Sequence, residues 1–188
     1  KNYLAKMAQV LKLADEEKKW KSESNTLKIQ IQTQFWDATT GWFYDTSIDG
    51  KTSVKDMGCE GFLPLWTEVA TSEQANAIKN NLLNPITFNT FVPLPTLAAN
   101  NPKFNPEDGY WRGPIWLDQV YFGINVLEKY GYKKEVDLLT GKLIQNTEGA
   151  LEKGMSIREN YHPKTGKGLE AQNFSWSAAH FLLLILNN

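Results

Sequence analysis

Residues 157–180 read IRENYHPKTGKGLEAQNFSWSAAH, with Glu159 set between Arg158 and a short polar loop. Through Asn173 the chain then enters an almost wholly apolar run, Phe174 to Leu186. A helix apolar on all sides belongs inside a packed structure. The run is also too short for the roughly 20 residues that cross a bilayer. A buried terminal helix is therefore expected, with Glu159 held beside a rigid core. Carboxylates fixed on such scaffolds next to aromatic rings are the equipment of glycoside hydrolysis, which uses two of them. Glu159 is the one good candidate in this chain.

Upstream, GYWRGPIW (109–116) is an aromatic cluster that predicts the opening of a helix, with Pro114 in the first turn and apolar positions continuing through Val120, Phe122, Ile124 and Leu127 to Tyr130. Gly131 ends it, and a further helix is expected from Lys133 to about Asn146. Residues 84–108 carry Pro85, Pro93, Pro95, Pro102 and Pro106, which excludes helix interiors and predicts a long extended connection. Such connections in compact domains are disproportionately functional. Before it, residues 58–70 and 71–83 read as a helix pair, with Thr71 or Ser72 as N-cap and Glu73 in the first turn. The N-terminal residues predict two helices or one bent one: Tyr3, Leu4, Met7, Val10 and Leu11 form one periodic run, and Trp20, Leu27, Ile31 and Phe35 another. Asp37 and Gly41 bracket a turn between aromatic residues, followed by a short strand at 42–44 and a polar loop or small hairpin to Asp56. About seven helices in antiparallel hairpin order, joined by alternately short and long connections, point to an all-α layered or toroidal architecture that gathers its loops at one end. No second domain boundary is visible.

Composition narrows the function classes. With 188 residues, 41% hydrophobic and 22% charged, the chain has an ordinary globular make-up and enough length for a core. A net charge of -1 with dispersed lysine and arginine gives no footprint for nucleic acid, and no segment indicates a membrane. Seven tryptophans in a chain of 12% aromatic content suit stacking against sugar rings as well as core packing. The lone Cys59 excludes an internal disulfide framework. His162 and His180 are the only histidines, and no spacing typical of zinc ligands joins them to Cys59. KTGKG (164–168) lacks the order of a phosphate loop and reads as a glycine turn. The first residues form an amphipathic helix rather than a signal peptide, which leaves the compartment open and gives the chain the look of a piece of something longer.

The segments GYWRGPIWLDQVYFGI (109–124) and IRENYHPKTGKGLEAQNFSWSAAHFLL (157–183) resemble the C-terminal third of family 63 glycoside hydrolases, which include processing α-glucosidase and its bacterial relatives. FWDATTGWFYD (35–45) and GCEGFLPLW (58–66) are similar too, so the resemblance covers nearly the whole chain. It implies an (α/α)6 barrel, of which this chain supplies roughly the C-terminal half, and an inverting, exo-acting α-glycosidase without a cofactor. The compartment stays open, with the bacterial periplasm the one that the family's bacterial members suggest. The partners implied are an oligosaccharide or disaccharide substrate and the missing N-terminal part of the barrel. In the family the glutamate of the ENY-x-P-x-TG motif is the general base, a role that carries over to Glu159. The general acid is an aspartate N-terminal to everything matched here. An inverting hydrolase needs both carboxyl groups, so the isolated chain is expected to have negligible activity.

Each candidate has a plainer alternative. A lone loop glutamate such as Glu159 is most often a surface ion-pair partner, and the motif is what argues otherwise. Trp111 and Arg112 offer a sugar-stacking face and a forked donor, or else a helix-entry aromatic and a structural ion pair. Glu60, flanked by Gly58 and Gly61, reads as an acceptor close to a substrate hydroxyl, or as a cap for the following helix. Trp176 is a substrate contact or part of the core, and Asp118, several residues into a helix, is a supporting partner for a residue such as Arg112 rather than a catalyst. The substrate-binding set is thus Glu60, Trp111, Arg112 and Trp176. Two other functions fit the same residues. One is a carbohydrate-binding or regulatory fragment without chemistry. The other is a sugar isomerase or epimerase on an α/α barrel, which would need His162 and His180 in one pocket.

Overall fold

The computed structural model describes residues 1–186. Helices α1 (Asn2–Val10) and α2 (Ala14–Gln34) form an antiparallel hairpin at Lys12, whose φ of 59° turns the chain. Asp15, Glu16 and Glu17 sit in the first turn of α2, where the helix dipole favours negative charge. Ala5 and Ala8 are the buried positions of α1, and their small side chains let the two helices approach closely. No residue of α2 is buried, and Tyr3, Met7, Val10 and Leu11 are left on the outside of α1. Side-chain bonds tie the C-terminal part of α2 to the rest of the molecule: Lys28 donates to the Glu68 carbonyl at 3.3 Å, Gln32 to the Val69 carbonyl at 2.6 Å, and Gln74 to the Gln32 carbonyl at 3.2 Å.

Two small antiparallel hairpins follow, β1 (Trp36–Asp37) with β2 (Trp42–Phe43) and β3 (Asp45–Thr46) with β4 (Ser53–Val54). The first closes as an Asx turn: Asp37 Oδ1 accepts from the amides of Thr39 and Thr40, and Gly41 takes φ 67°. Lys55 at 2.5 Å, with those amides, holds the Asp37 carboxyl at about 2. After a 3-10 turn at Cys59–Phe62 come α3 (Leu63–Trp66) and α4 (Ser72–Leu83). Thr71 caps α4 in a capping box with Gln74. The proline-rich stretch 84–108 contains no regular helix or strand, as its sequence predicts. Helices α5 (Leu117–Lys129) and α6 (Lys133–Asn146), the hairpin β5 (Arg158–Tyr161) with β6 (Gly168–Gln172), and α7 (Ser175–Leu186) complete the order.

Four expectations are corrected. The first helix of the 58–70 pair shrinks to one turn, because the Cys59 amide donates to the Thr96 carbonyl and holds its start extended, while Glu68 leaves the helical region at φ 56°. α5 begins at Leu117 rather than near Pro114, because Ile115 is drawn into an extended bridge with Tyr161. Glu159 lies on a strand rather than in a loop, so the helix-rich fold is not purely α. The terminal helix is only half buried: Ser177, Phe181 and Leu184 face inward, while Leu182, Leu183, Ile185 and Leu186 are exposed.

The core centres on α5, which packs on α3, α6 and α7. Val120, Ile124 and Leu127 line its buried face with Phe62, Leu65, Leu139 and Tyr161. Below them Trp42 stacks on Phe88 at 4.9 Å and 15°. The Trp42 indole edge lies directly over Gly61, where a Cβ would come 2.5 Å from Trp42 Cε2 and 2.6 Å from the Phe43 carbonyl oxygen. Overpacking of this kind costs about 1–3 kcal/mol. Gly61→Ala should therefore lower the unfolding free energy, read from a urea titration, by about 1–3 kcal/mol, whereas Gly141→Ala, which meets open space, should not lower it.

Candidate functional site

Glu159 is placed by a defect in the β5–β6 hairpin. Arg158 pairs with Gln172, Asn160 with Leu169 and Tyr161 with Gly168, so β5 advances two residues where β6 retreats three. Glu170 absorbs the difference at φ 56°. Bulges of this kind re-aim a side chain, and here the re-aimed residue is Glu159. Its backbone is pinned on three sides. The Tyr161 hydroxyl, fully buried, accepts the Arg158 amide at 2.8 Å, and Ser177 Oγ of α7 donates to the Glu159 carbonyl at 2.7 Å. Two residues on, Ile115 and Tyr161 exchange amide hydrogen bonds of 2.8 and 3.0 Å.

The same bridge fixes the 109–116 segment. Asn105, Gly109 and Arg112 close it with backbone bonds of 2.7 to 3.1 Å, and Tyr110 sits at φ 55°. The Tyr110 phenol then donates to Glu159 Oε1 at 3.1 Å. Its bond to the carboxylate, followed by partial desolvation and the negative charge itself, raises the phenol above its usual pKa. Trp116 is 3% exposed and donates from Nε1 to the Tyr110 carbonyl at 3.0 Å. On it are built Trp111, stacked at 4.5 Å and 10°, Tyr110, edge-on at 5.0 Å, and Trp176 of α7 at 5.9 Å. Tyr110, Trp111 and Trp176 are each nearly half exposed. The result is a wall of aromatic surface beside a carboxylate.

Of the residues singled out in the sequence, Glu159, Trp111 and Trp176 meet in this wall. Arg112 shares its loop, is exposed, and has no ion pair within 4.0 Å among the described residues. Asp118 is not its partner: it is buried and accepts from Gln119 at 2.8 Å. Glu60 lies elsewhere, in a pocket of about 270 Å³ lined by Phe35, Phe43, Tyr44, Asp45 and Leu63. There the carboxylate folds back over Gly58. The residue reaches solvent, yet the protein around its carboxyl and the charge of Asp45 raise its pKa.

The two histidines have separate settings. His162 Nδ1 accepts the Lys164 amide in the β5–β6 turn, and His180 Nδ1 lies 2.9 Å from the Trp176 carbonyl, beside the Tyr121 ring. Cys59 is half-buried, and the protein around its thiol pushes it up to about 12. Among the described residues no three His, Cys, Asp or Glu side chains converge as a metal site. Reading the sequence missed Tyr110 as the partner of Glu159, Trp116 as the base of the wall and Ser177 as the tether of the Glu159 backbone. Tyr110 and Glu159 lie 49 residues apart, beyond any local pattern.

A model of the mannosylglycerate hydrolase MGH1-like glycoside hydrolase domain matches residues 1–177. The chain is similar to the mannosylglycerate hydrolase of Rubrobacter radiotolerans, with 27% identity over 186 residues, 97% of this chain and 40% of that protein. It is similar also to the mannosyl-oligosaccharide glucosidase of Saccharomyces cerevisiae, with 24% identity over 93% of this chain and 24% of that protein. The crystal structure of a family 63 mannosylglycerate hydrolase from Thermus thermophilus in complex with glucose matches with a TM-score of 0.68 at 24% identity, over 82% of this chain and 37% of that one. The chain thus spans 40% or less of the length of these relatives.

The Tyr110–Glu159 contact makes a prediction that needs no substrate. With ¹³C-labelled tyrosine followed by NMR, the Tyr110 phenol, assigned by the loss of its resonance in Tyr110→Phe, should titrate above its usual range, and Glu159→Gln should bring that one resonance back toward the range while leaving the other raised phenols where they are. An unchanged titration would show that the bond does not form in solution.

Proposed function

Because the chain belongs to the mannosylglycerate hydrolase MGH1-like glycoside hydrolase domain family, we propose that it supplies the general-base half of an inverting glycosidase site, with Glu159 as the base. Residues 1–188 would form roughly the C-terminal half of an (α/α)6 barrel. Supporting this, Glu159 has the geometry of a base: Tyr110 occupies one carboxylate oxygen at 3.1 Å, and no cation among the described residues pairs with the other. The phenol fixes the carboxylate, and the second oxygen is left to take a proton from water. An arginine or lysine in contact would lower the basicity needed for that step.

In the reaction proposed, a water held by Glu159 attacks the anomeric carbon on the face opposite the departing oxygen. A carboxylic acid about 6.5–9.5 Å from Glu159 protonates that oxygen. This acid comes from a segment N-terminal to residue 1, so the base-bearing chain needs the rest of the barrel for turnover. Trp111 and Trp176 present flat apolar faces to the C–H surfaces of a sugar ring. Arg112, exposed and without an ion pair among the described residues, is a forked donor for a substrate hydroxyl or carboxylate. The relatives are named for mannosylglycerate and mannosyl-oligosaccharides. α-Mannosides with an acidic aglycone and α-glucosides are accordingly the substrates to test.

In the full-length protein, Glu159→Gln should lower kcat on the accepted α-glycoside by roughly 10²–10⁴-fold, with a much smaller change in KM. Wild-type kcat in that variant would remove Glu159 from the reaction.

A further inference from the structure

Helix α7 has two apolar faces, and the body of the chain uses one. Ser177, Phe181 and Leu184, at i, i+4 and i+7, are buried. On the opposite side Trp176, Ala179, Leu183 and Leu186 follow at i, i+3, i+7 and i+10, and all four are exposed. Leu182 and Ile185 flank this stripe at 55% and 50% exposure. No charged residue occurs from Ser175 to Leu186. That spacing is the one a helix presents to another helix packed along it. A continuous apolar stripe of this kind marks a contact surface rather than a solvated face. At about 1.5 Å per residue the helix is too short for a membrane, and no helix among the described residues is long and apolar enough to cross one.

We propose that the outer stripe of α7 seats a helix of the same polypeptide lying outside residues 1–188. The inference rests on the reading of this chain as part of a longer barrel. Length points to that occupant: the chain accounts for 40% of one relative and 37% of a solved one, which leaves more chain outside the matched region than within it. Continuity with the site points the same way. Trp176 stands at the head of the stripe and also in the aromatic wall, 5.9 Å from Trp116. Ser177, on the next residue, holds the Glu159 carbonyl. A helix seated on α7 therefore fixes the element that tethers Glu159, and any carboxyl group carried beside it arrives in register with that base.

The test uses the full-length protein with a single added cysteine at Leu183→Cys or, as the smaller change on the same stripe, Ala179→Cys. Lys153→Cys, on an exposed loop, is the open control, and wild type sets the baseline because burial suppresses the Cys59 thiolate. Maleimide labelling of the folded stripe variants should be at least about 100-fold slower than that of the control, as for a site that opens only by local unfolding. It should be unaffected by dilution and reach the control rate in denaturant. Labelling at the control rate in the folded protein would overturn the proposal. So would protection that is lost on dilution, which would assign the stripe to a second copy of the chain. Hydrolysis by full-length Glu159→Gln tests the base separately, so a failure of one reading leaves the other intact.

Discussion

The exchange of amide hydrogen bonds between Ile115 and Tyr161 is the constraint on which the site depends. It belongs to a longer ladder made almost entirely of loop backbone. The Ala98 amide donates to Met57 and the Cys59 amide to Thr96. Thr96 in turn donates from its amide to Pro114, and its hydroxyl accepts the Gly113 amide. Past Tyr161 the ladder continues into the pairing with Gly168. Five segments are thus laid side by side, of which only β5 and β6 form a regular hairpin. Each bond contributes only about 0.5–1.5 kcal/mol net, but a buried amide left unpaired costs more than that. The loops are therefore locked by the requirement that buried backbone groups find partners.

What the ladder does for chemistry follows from where its rungs lie. Tyr161 is two residues from Glu159 and Ile115 five from Tyr110, so one bridge sets the distance between the phenol and the carboxylate. The bulge opposite Glu170 aims the glutamate, and α7 ties down its carbonyl through Ser177. Trp116, buried at the start of α5, fixes the exposed rings of Trp111 and Trp176 by contact rather than by covalent neighbourhood. The phenol fixes the carboxylate rotamer, and no cation among the described residues forms an ion pair with it. That combination is what the proposed base requires.

Local features are legible in the sequence, and non-local ones are not. α6 is readable to within a residue, as are the Asp37–Gly41 turn, the Thr71 cap and the long proline connection, because each depends on neighbours a few positions away. The resemblance of the 109–124 and 157–183 segments leads to the family that the matched model bears out. The start of α5 is misjudged because Pro114 is a good first-turn residue whose local preference is overridden by the bridge at Ile115. β5 and β6 lack an alternating pattern, and only their pairing reveals them. Gly58 and Gly61 read as space for a ligand. Gly58 instead accommodates the Glu60 carboxylate, and Gly61 the indole of Trp42. Hydropathy identifies α7 as a helix but cannot tell which of its faces this chain covers.

The central claim is that Glu159 activates the nucleophile rather than merely supporting the fold, and azide rescue tests it most directly. Azide needs no deprotonation and fits the space left by a truncated carboxylate. In the full-length protein carrying Glu159→Ala, added azide should restore turnover of an activated α-glycoside and yield the β-glycosyl azide, identified by its anomeric proton coupling. An α-glycosyl azide, or full folding with no azide-dependent turnover, would contradict the assignment of Glu159 as the base of an inverting reaction.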